Sequence, residues 1–315
     1  MSDEKVWERQ ALEHLLLENM KEQRRGRRWR AALRVMTLIV FVGVAINLFD
    51  MDLGRQASLG KHTALVDLHG EIAPNTPASA EAINSALNAA FESPESVGVI
   101  LRINSPGGSP VQSGIIHDEI LRLRAKYPEK PLHVVVEEIC ASGGYYVAVA
   151  ADQIYVDKAS LVGSVGVIMS GFGVTGLMDK LGIERRVIAA GKNKALLDPF
   201  SKEDPRQKAF VQEMILEVHE QFIKVVRDGR GKRLKETPET FTGLVWNGAR
   251  SVELGLTDAL GSVDSVARDV FKAPDLVDYT TKENLAERVA KRFGAAMGEG
   301  ATKVLLKNEH LRYSN

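Results

Sequence analysis

Short apolar runs alternate with longer amphipathic segments over most of the chain. The runs rich in β-branched residues predict buried strands at Ala64–Leu68, Val97–Ile103, Leu132–Glu137, Gln153–Val156 and Val187–Ala190. The segments between and after them predict helices at Pro77–Glu92, Val111–Tyr127, Ser142–Ala151, Gly173–Leu181 and Pro205–Asp228. Strands that are apolar throughout and separated by helices indicate an α/β fold whose sheet is covered on both faces.

A different pattern occupies the amino-terminal region. Val35–Phe49 contains no charged residue, and a cation-rich block at Lys21–Arg34 precedes it. Counted from Ala31, this stretch would span about 28 Å as a helix, close to the hydrocarbon thickness of a bilayer. We therefore expect an uncleaved transmembrane signal anchor at residues 31–49, with the amino terminus in the cytoplasm and the rest outside. A buried soluble helix and a cleaved signal peptide fit less well, because apolar residues cover every face and no small-residue cleavage site follows.

The other segments are assigned around this anchor. Residues 1–30 are predicted to be a cytoplasmic segment with a short amphipathic helix, and residues 50–62 a linker. Residues 63–274 are long enough for one globular domain, and residues 275–315 are interpreted as a charged helical segment.

Composition excludes several classes of protein. The chain has 315 residues with 41 Lys+Arg and 41 Asp+Glu, whereas a nucleic-acid-binding protein would show a basic excess. A single cysteine excludes an intramolecular disulfide and a cysteine-rich zinc site. We expect no metal, no cofactor and no nucleic-acid partner.

Two glycine-rich turns lie where predicted strands end, at Asn104-Ser105-Pro106-Gly107-Gly108-Ser109 and at Ile139-Cys140-Ala141-Ser142-Gly143-Gly144-Tyr145-Tyr146. A serine at a helix start is most often an N-cap. It is also where a hydroxyl gains exposure, a neighbouring N–H and the positive end of a helix dipole. Two such turns in one sheet favour a shared site, with Ser142 as nucleophile and the N–H groups of Gly108 and Gly143 donating to one oxyanion. Cys140 is a weaker nucleophile candidate, since a small buried core residue is its commoner role.

A nucleophilic serine needs a base. Among the histidines, His14 and His310 lie in the terminal segments, and His133 is about 25 Å from Ser142 along an extended strand. The residues alone leave open His62, His69, His117 and His219. Lys192 and Lys194 follow an apolar run, and a lysine acts as base where burial lowers its pKa towards neutrality. Local chemistry does not choose between the two lysines.

Four motifs occur in order: Asn-Ser-Pro-Gly-Gly at 104–108, Ala-Ser-Gly-Gly-Tyr-Tyr at 141–146, Gly-Ser-Val-Gly-Val at 163–167 and Gly-Lys-Asn-Lys at 191–194. Together they closely resemble the signal peptide peptidase A / protease IV family of membrane-bound bacterial serine proteases. The resemblance extends from about Ala64 to Val266. It implies a crotonase/Clp-protease-like domain of stacked strand-turn-helix units, in the short single-repeat form with one transmembrane helix before it.

Carried over by motif, the resemblance implies that Ser142 is the nucleophile and Lys194 the general base. It also implies that Ser164 helps to orient the lysine amine, and that Gly108 and Gly143 form the oxyanion hole. The similar Clp protease uses a histidine base after its serine, but Val165–Ile168 stand at the comparable stretch here. The absence of that histidine independently favours lysine.

The resemblance further implies degradation of cleaved signal peptides and other apolar peptides at the outer face of the bacterial cytoplasmic membrane. It implies a homo-oligomer whose active sites are completed between subunits, with the lipid bilayer as a further partner. One alternative is a crotonase-type acyl-CoA enzyme, because the same oxyanion hole would serve a thioester; an anchor and an external domain argue against it. The other is a catalytically inactive membrane scaffold on the same fold.

Overall fold

The computed structural model describes residues 29–30, 32–42 and 60–281. The chain divides into two units, one formed by Met1–Ala57 with Glu283–Asn315 and the other by Ser58–Lys282. In the first unit only a helical stretch within residues 29–42 is described. No helix among the described residues is long and apolar enough to cross a membrane. Outside the described residues lie 1–28, 31, 43–59 and 282–315, which include much of the predicted anchor and linker.

The second unit contains all the strands of the described chain. They are β1 (His62–His69), β2 (Ser96–Ser105), β3 (Leu132–Ala141), β4 (Gln153–Val156), β5 (Leu161–Gly163), β6 (Val245–Asn247), β7 (Ala259–Leu260) and β8 (Leu276–Asp278). The helices are α1 (Ala80–Glu92), α2 (Pro110–Lys126), α3 (Gly143–Ala148), α4 (Thr175–Leu181), α5 (Pro205–Arg230), α6 (Gly248–Glu253) and α7 (Val263–Ser265). A 3₁₀ turn (Gly231–Arg233) follows α5, and a π-helical turn (Val266–Val270) follows α7.

One eight-stranded sheet organises this unit. The strand order is β6-β5-β3-β2-β1-β8, with β4 paired to β3 and β7 paired to β4. All pairs are parallel except β5 with β6. Parallel neighbours require a crossover, which α1 supplies between β1 and β2 and α2 between β2 and β3. This mixed α/β sheet confirms the fold class predicted from the alternation of strands and helices.

The central strands are buried on both faces. Val66, Leu101 and Val134 belong to a large core together with side chains of α1, α2 and α3. On the opposite face, Leu65 and Ile100 pack in a smaller core under the turn that follows α7. Burial on both sides explains why these strands have continuous apolar sequences rather than alternating ones.

The long helices begin at capping residues that the sequence makes visible. The Ser109 side chain accepts a hydrogen bond from Gln112 N, and Asp204 accepts one from Arg206 N. A proline follows each cap in the first helical turn, where its fixed φ suits the helix and its missing N–H costs nothing. Helix α2 therefore starts directly after the glycine turn at the end of β2.

Strand β3 changes partner along its length. His133–Val135 pairs with β4, whereas Ile139–Ala141 pairs with β5. Between these stretches the register with β2 shifts from Ile103 opposite Val136 to Ser105 opposite Cys140. The residues that β3 gains over β2 form a bulge, which redirects a strand. The end of β3 thereby lies between the ends of β2 and β5.

The predicted strand Val187–Ala190 is wrong. Residues 183–189 have no regular structure, and Val187 and Ile188 are exposed. A strand needs a paired neighbour and covered side chains, which the described part of a single chain does not provide at this position.

Four short strands, β5 to β8, were not predicted. One of them, Leu276–Asp278, lies inside the segment 275–315 that was expected to be helical, and it pairs with β1 at the edge of the sheet. The sheet thus continues a few residues beyond the predicted domain end at residue 274. Residues 282–315 of that segment lie outside the described residues.

Candidate active site

Ser142 lies where β3 ends and α3 begins. Its backbone has φ 50° and ψ −122°, a conformation that residues other than glycine rarely adopt. A sharp turn of this kind between a strand and a helix presents the side chain at the edge of the sheet. The Ser142 side chain makes no capping hydrogen bond, and it is partly exposed. The role commonest for a serine at a helix start is therefore absent here.

Backbone contacts and close packing hold this turn. Ser142 N donates to Gly163 O at 2.8 Å, and Tyr146 N donates to Ser142 O at 2.9 Å. A Cβ placed on Gly143 would lie 2.4 Å from Ser113 Oγ, which is closer than any real contact. A side chain directly after Ser142 would therefore force Ser113 Oγ to move.

The turn after β2 is fixed to the loop after β1. Ile72 N donates to Gly107 O at 2.9 Å, and Ser109 N donates to Ile72 O at 2.8 Å. Gly107 and Gly108 have φ values of 104° and 148°, and a Cβ on Gly108 would lie 2.2 Å from Ile72 O. This contribution of the β1 loop is not visible in the sequence, because no local pattern marks a pairing between distant segments.

The two glycine turns are in contact. A Cβ on Gly107 would lie 2.7 Å from Gly143 N and 2.8 Å from Ser142 Cβ. A Cβ on Gly143 would lie 3.3 Å from Gly108 N. Neither the Gly108 nor the Gly143 N–H donates a hydrogen bond to another described residue. Two available N–H donors beside a serine hydroxyl are the components of an oxyanion hole.

Ser164 is positioned by the pairing of β3 with β5. Ala141 pairs with Gly163, so that Ser142 and Ser164 each follow a member of this pair. Ser164 has φ 53°, and its N–H donates to Leu244 O at 2.7 Å. On the other side, the His219 ring Nε2 lies 3.1 Å from Val165 O. The structure therefore brings Ser142, Ser164 and the two glycine turns to one edge of the sheet.

The lysines are not brought to this edge. Lys194 lies in the largely exposed segment between α4 and α5, where its N–H donates to Gly191 O at 3.1 Å in a turn. The Lys192 and Lys194 side chains are both exposed. Within the described part of the chain, no hydrogen bond joins either lysine to Ser142 or Ser164. Within one chain, the candidate nucleophile Ser142 and the candidate oxyanion donors Gly108 and Gly143 lie together, and neither lysine is hydrogen-bonded to them.

The histidines left open by the sequence have other surroundings. His62 is 3.0 Å from the Tyr279 hydroxyl, and His117 is 3.1 Å from an Asp118 carboxylate oxygen. His69 is exposed at the end of β1, and His219 contacts Val165 O as described above. No histidine of residues 60–281 is hydrogen-bonded to Ser142.

Among the described residues, neither Cys140 nor the acidic side chains form a second catalytic or metal site. Cys140 is completely buried in the large core, and burial raises the pKa of its thiol. No group of three or more His, Cys, Asp and Glu side chains within residues 29–42 and 60–281 is placed to hold a metal ion.

A separate groove of about 840 Å³ runs between strand ends and the loop at residues 260–265, and Ser142 does not line it. The Arg102 side chain in this groove is paired with Asp67 at 2.6 Å and with Glu137 at 3.3 Å. One cation is thus shared between two carboxylates across β1, β2 and β3.

Comparison with known proteins identifies similarity to a peptidase family. The model of peptidase family S49 matches residues 124–276, a stretch that contains Ser142, Ser164 and Lys194. A protein of Brucella melitensis named "Na(+)/H(+) antiporter NhaA" is 40% identical over 212 residues, which are 66% of this chain and 29% of that protein. The "Putative signal peptide peptidase SppA" of Enterococcus faecium is 31% identical over 186 residues, 59% of this chain and 54% of the relative.

The chain spans less than two thirds of the length of both of these relatives. A third relative, "Putative protease MJ0651" of Methanocaldococcus jannaschii, is 34% identical over 220 residues, which cover 68% of this chain and 70% of the relative. The stretch that the family model matches includes β3 and β5 with Ser142 and Ser164, and the turn at Gly107 and Gly108 lies before it. The chain belongs to peptidase family S49, the signal peptide peptidase A / protease IV family whose motifs it carries.

Proposed function

We propose that this protein is a membrane-anchored serine endopeptidase with a Ser142–Lys194 dyad, and that it degrades cleaved signal peptides and other apolar peptides. The observation that carries the proposal is the geometry of Ser142, which has φ 50° and no capping bond. Ser142 lies against the turn that contains Gly107 and Gly108 and directly precedes Gly143, and the N–H groups of Gly108 and Gly143 have no acceptor among the described residues. Membership of family S49 supports peptide-bond hydrolysis as the reaction.

In the proposed reaction, the neutral Lys194 amine takes the proton of the Ser142 hydroxyl as Oγ bonds to the scissile carbonyl carbon. The N–H groups of Gly108 and Gly143 stabilise the oxyanion that forms. The Lys194 ammonium then gives its proton to the departing amine as the C–N bond breaks, which leaves an acyl-enzyme. The same lysine then takes a proton from a water molecule as the water oxygen bonds to the ester carbonyl carbon. It gives this proton to Ser142 Oγ as the ester C–O bond breaks, which releases the carboxylic acid product and restores the serine. The Ser164 hydroxyl orients the lysine amine.

We place the Lys194 of a neighbouring copy at each Ser142, so that the active sites are shared within a homo-oligomer. Exposed apolar side chains in the segment between β5 and α5, which also contains Lys194, support this arrangement, since Ile168 is 87%, Phe172 90% and Ile188 103% exposed. Apolar exposure of this extent is typical of an interaction surface. A second copy over this segment would bury these side chains and exclude water, which favours the neutral form of an amine.

Activity of mixed oligomers tests the dyad and its sharing together. Ser142→Ala and Lys194→Ala should each abolish hydrolysis of an apolar signal-peptide-like substrate, whereas Lys192→Ala should retain it. Co-expression of the Ser142→Ala and Lys194→Ala chains should restore about a quarter of the active sites, because some interfaces then combine an intact serine with an intact lysine. Failure to restore activity, or a fully active monomer, would contradict shared sites. Loss in Lys192→Ala with activity in Lys194→Ala would assign the base to Lys192.

The proposal also includes a transmembrane anchor at residues 31–49 and a catalytic domain outside the cytoplasm. The uncharged run Val35–Phe49 after the cationic block Lys21–Arg34 supports it. The full chain should remain with bacterial membranes after a salt wash, and a chain lacking residues 1–49 should be released. Protease added to intact spheroplasts should digest the domain. Protection of the domain in spheroplasts would overturn the assigned orientation.

The same assays discriminate the other functions. Turnover of an acyl-CoA thioester without peptide cleavage would assign a crotonase-type enzyme. Absence of both activities, with no labelling of Ser142 by a fluorophosphonate, would assign an inactive scaffold.

A further inference from the structure

Ser105 is the last residue of β2, and its side chain is completely buried. Its hydroxyl donates a hydrogen bond to Gly70 O at 2.6 Å and accepts one from Gly107 N at 3.1 Å. Gly70 N in turn donates to Asn104 O at 2.9 Å. The hydroxyl of Ser105 therefore connects the end of β1 to the first glycine of the turn after β2.

Ser105 also contacts the helix that carries the nucleophile. A Cβ on Gly144 would lie 3.1 Å from Ser105 O and 3.4 Å from Ser105 Cβ. In the sheet, Ser105 pairs with Cys140, two residues before Ser142. Ser105 thus lies between the two turns that supply the N–H groups of Gly108 and Gly143.

The hydroxyl of Ser105 is the acceptor for the Gly107 N–H. Gly107 is buried, and a buried N–H without an acceptor is energetically costly. If the hydroxyl were removed, the turn would have to rotate to satisfy this N–H. Rotation at Gly107 moves the next N–H in the chain, which belongs to Gly108. Donors that stabilise an oxyanion are effective only while they are held in position before the reaction.

We propose that Ser105 is a positioning residue for the oxyanion hole, acting through the Gly107–Gly108 turn rather than by contact with substrate. The inference rests on the proposed peptidase function and adds a residue to its machinery. It distinguishes Ser105 from Ser109 in the same motif, whose side chain caps α2.

The test compares Ser105→Ala with the matched control Ser251→Ala. Ser251 is also completely buried, and its hydroxyl donates to Gly248 O at 2.8 Å and bonds the Thr257 hydroxyl at 2.7 Å. Each substitution removes one buried hydroxyl with two hydrogen bonds, but Ser251 lies outside both glycine turns. Ser105→Ala should lower kcat about ten- to a hundredfold with KM nearly unchanged. Ser251→Ala should leave both constants at their wild-type values.

A transition-state analogue gives a second readout. A peptide boronic acid bonds to the nucleophile and places an oxygen where the oxyanion forms. Its affinity for Ser105→Ala should be lower than for the wild type by the same factor as kcat/KM. The affinity for an uncleaved substrate peptide, measured in the inactive Ser142→Ala, should be the same with and without the additional substitution Ser105→Ala.

The outcomes separate this inference from the proposed function. An inactive wild type, or an active Ser142→Ala, overturns the proposed function and the role of Ser105 with it. Where the wild type is active and Ser142→Ala is not, a wild-type kcat in Ser105→Ala overturns the inference alone. An equal loss in Ser251→Ala, or a change confined to KM, overturns it as well. If Ser105→Ala does not fold, Ser105→Cys takes its place, because a thiol has nearly the volume of the hydroxyl but forms only weak hydrogen bonds. Ser105→Cys should show the same fall in kcat. A wild-type kcat in Ser105→Cys overturns the inference.

Discussion

Ala141 and Gly163 are paired at the ends of two parallel strands, and each is followed by a serine with positive φ. Because the register of the pair fixes where both strands end, Ser142 and Ser164 leave the sheet side by side. Two motifs separated by about twenty residues of sequence are thereby combined in one site.

The pairing predicts a measurable role for Ser164. Ser164→Ala keeps a side chain of similar size at the same φ but removes the hydroxyl that orients the lysine amine in the proposed reaction. We expect kcat to fall about ten- to a hundredfold without a change in melting temperature. Ser170→Ala, in the exposed segment beyond the turn, is the matched control and should retain wild-type kcat. Wild-type activity in Ser164→Ala would remove Ser164 from the mechanism.

Substitution by alanine should have opposite effects at two nearby glycines, Gly108 in the first turn and Gly114 in α2. Gly108→Ala should abolish activity, because its Cβ would lie 2.2 Å from Ile72 O and because φ is 148° there. Gly114→Ala in α2 has open space around its Cβ and should stabilise the protein by about 1 kcal/mol through helix propensity. Peptide hydrolysis and urea denaturation of both variants measure these effects. An active Gly108→Ala would show that the turn can move without harm to the oxyanion hole.

The buried Arg230 predicts a large loss of stability when its partner is removed. The Arg230 guanidinium is 1% exposed and donates to both carboxylate oxygens of Asp258, at 2.9 and 2.8 Å. Asp258→Asn leaves this charge uncompensated and should lower the free energy of unfolding by about 3 kcal/mol. Lys224→Ala removes an exposed pair with Asp228 and should leave the urea midpoint unchanged. A small effect of Asp258→Asn would mean that water reaches Arg230.

The same carboxylate has a pH signature. Burial is the largest single influence on the pKa of Asp258 and raises it. The hydrogen bonds and charge of Arg230, together with the Ile154 N–H and the Arg233 charge, outweigh burial and hold the pKa of the carboxyl below its usual value. The stabilisation should therefore be complete above the unfolded value of about 4 and be lost as the pH falls through the lower folded value. Denaturation of the wild type and Asp258→Asn between pH 2 and 6 measures the difference, which should shrink at the acidic end. A constant difference would contradict this assignment.

The surroundings of His133 predict that the free energy of unfolding also depends on pH near neutrality, above the range in which Asp258 titrates. Its ring stacks on Phe271 with centroids 4.8 Å apart, and its buried Nδ1 has no hydrogen-bond partner among the described residues. Burial lowers the pKa of this imidazole. The unfolded chain therefore binds a proton near pH 6.5 that the folded chain does not, so the free energy of unfolding should fall as the pH drops below about 6.5.

The variant His133→Phe isolates this contribution. It keeps the stacking on Phe271 but cannot be protonated, so its stability should exceed that of the wild type by a margin that grows between pH 7 and 5. Urea denaturation at several pH values measures the margin. Parallel curves for the two proteins would show that His133 is not the group responsible.

The central strands and long helices could be predicted because their signals are local. The apolar run Val97–Ile103 and the cap at Ser109 with Pro110 are complete within a few residues of sequence. The strands β5 to β8 have at most three residues each, too few for a periodic pattern, and each is a strand only through its pairing with another strand of the sheet. An apolar run such as Val187–Ala190 predicts that its side chains are buried, but it does not indicate which residues they pack against.

The candidate site was predictable in its residue types and not in its geometry. The glycines of both turns are visible in the sequence, but the positive φ of Ser142 and the pairing of Gly108 with Ile72 arise from tertiary contacts. Lys194 was identified through the family motif alone, and among the described residues its side chain is exposed and forms no hydrogen bond with Ser142 or Ser164.

Cys140 is the single cysteine of the chain, and it is completely buried in β3, two residues before Ser142. Thiol reagents attack the solvent-accessible thiolate, so this side chain can be labelled only when its strand opens. The labelling rate of the native protein divided by that of the urea-unfolded chain gives the equilibrium constant of this opening, and the logarithm of that constant gives the free energy of opening. The protein thus contains an intrinsic reporter on the strand that ends directly before Ser142, and every substitution discussed above except Ser105→Cys can be followed with it without adding a cysteine.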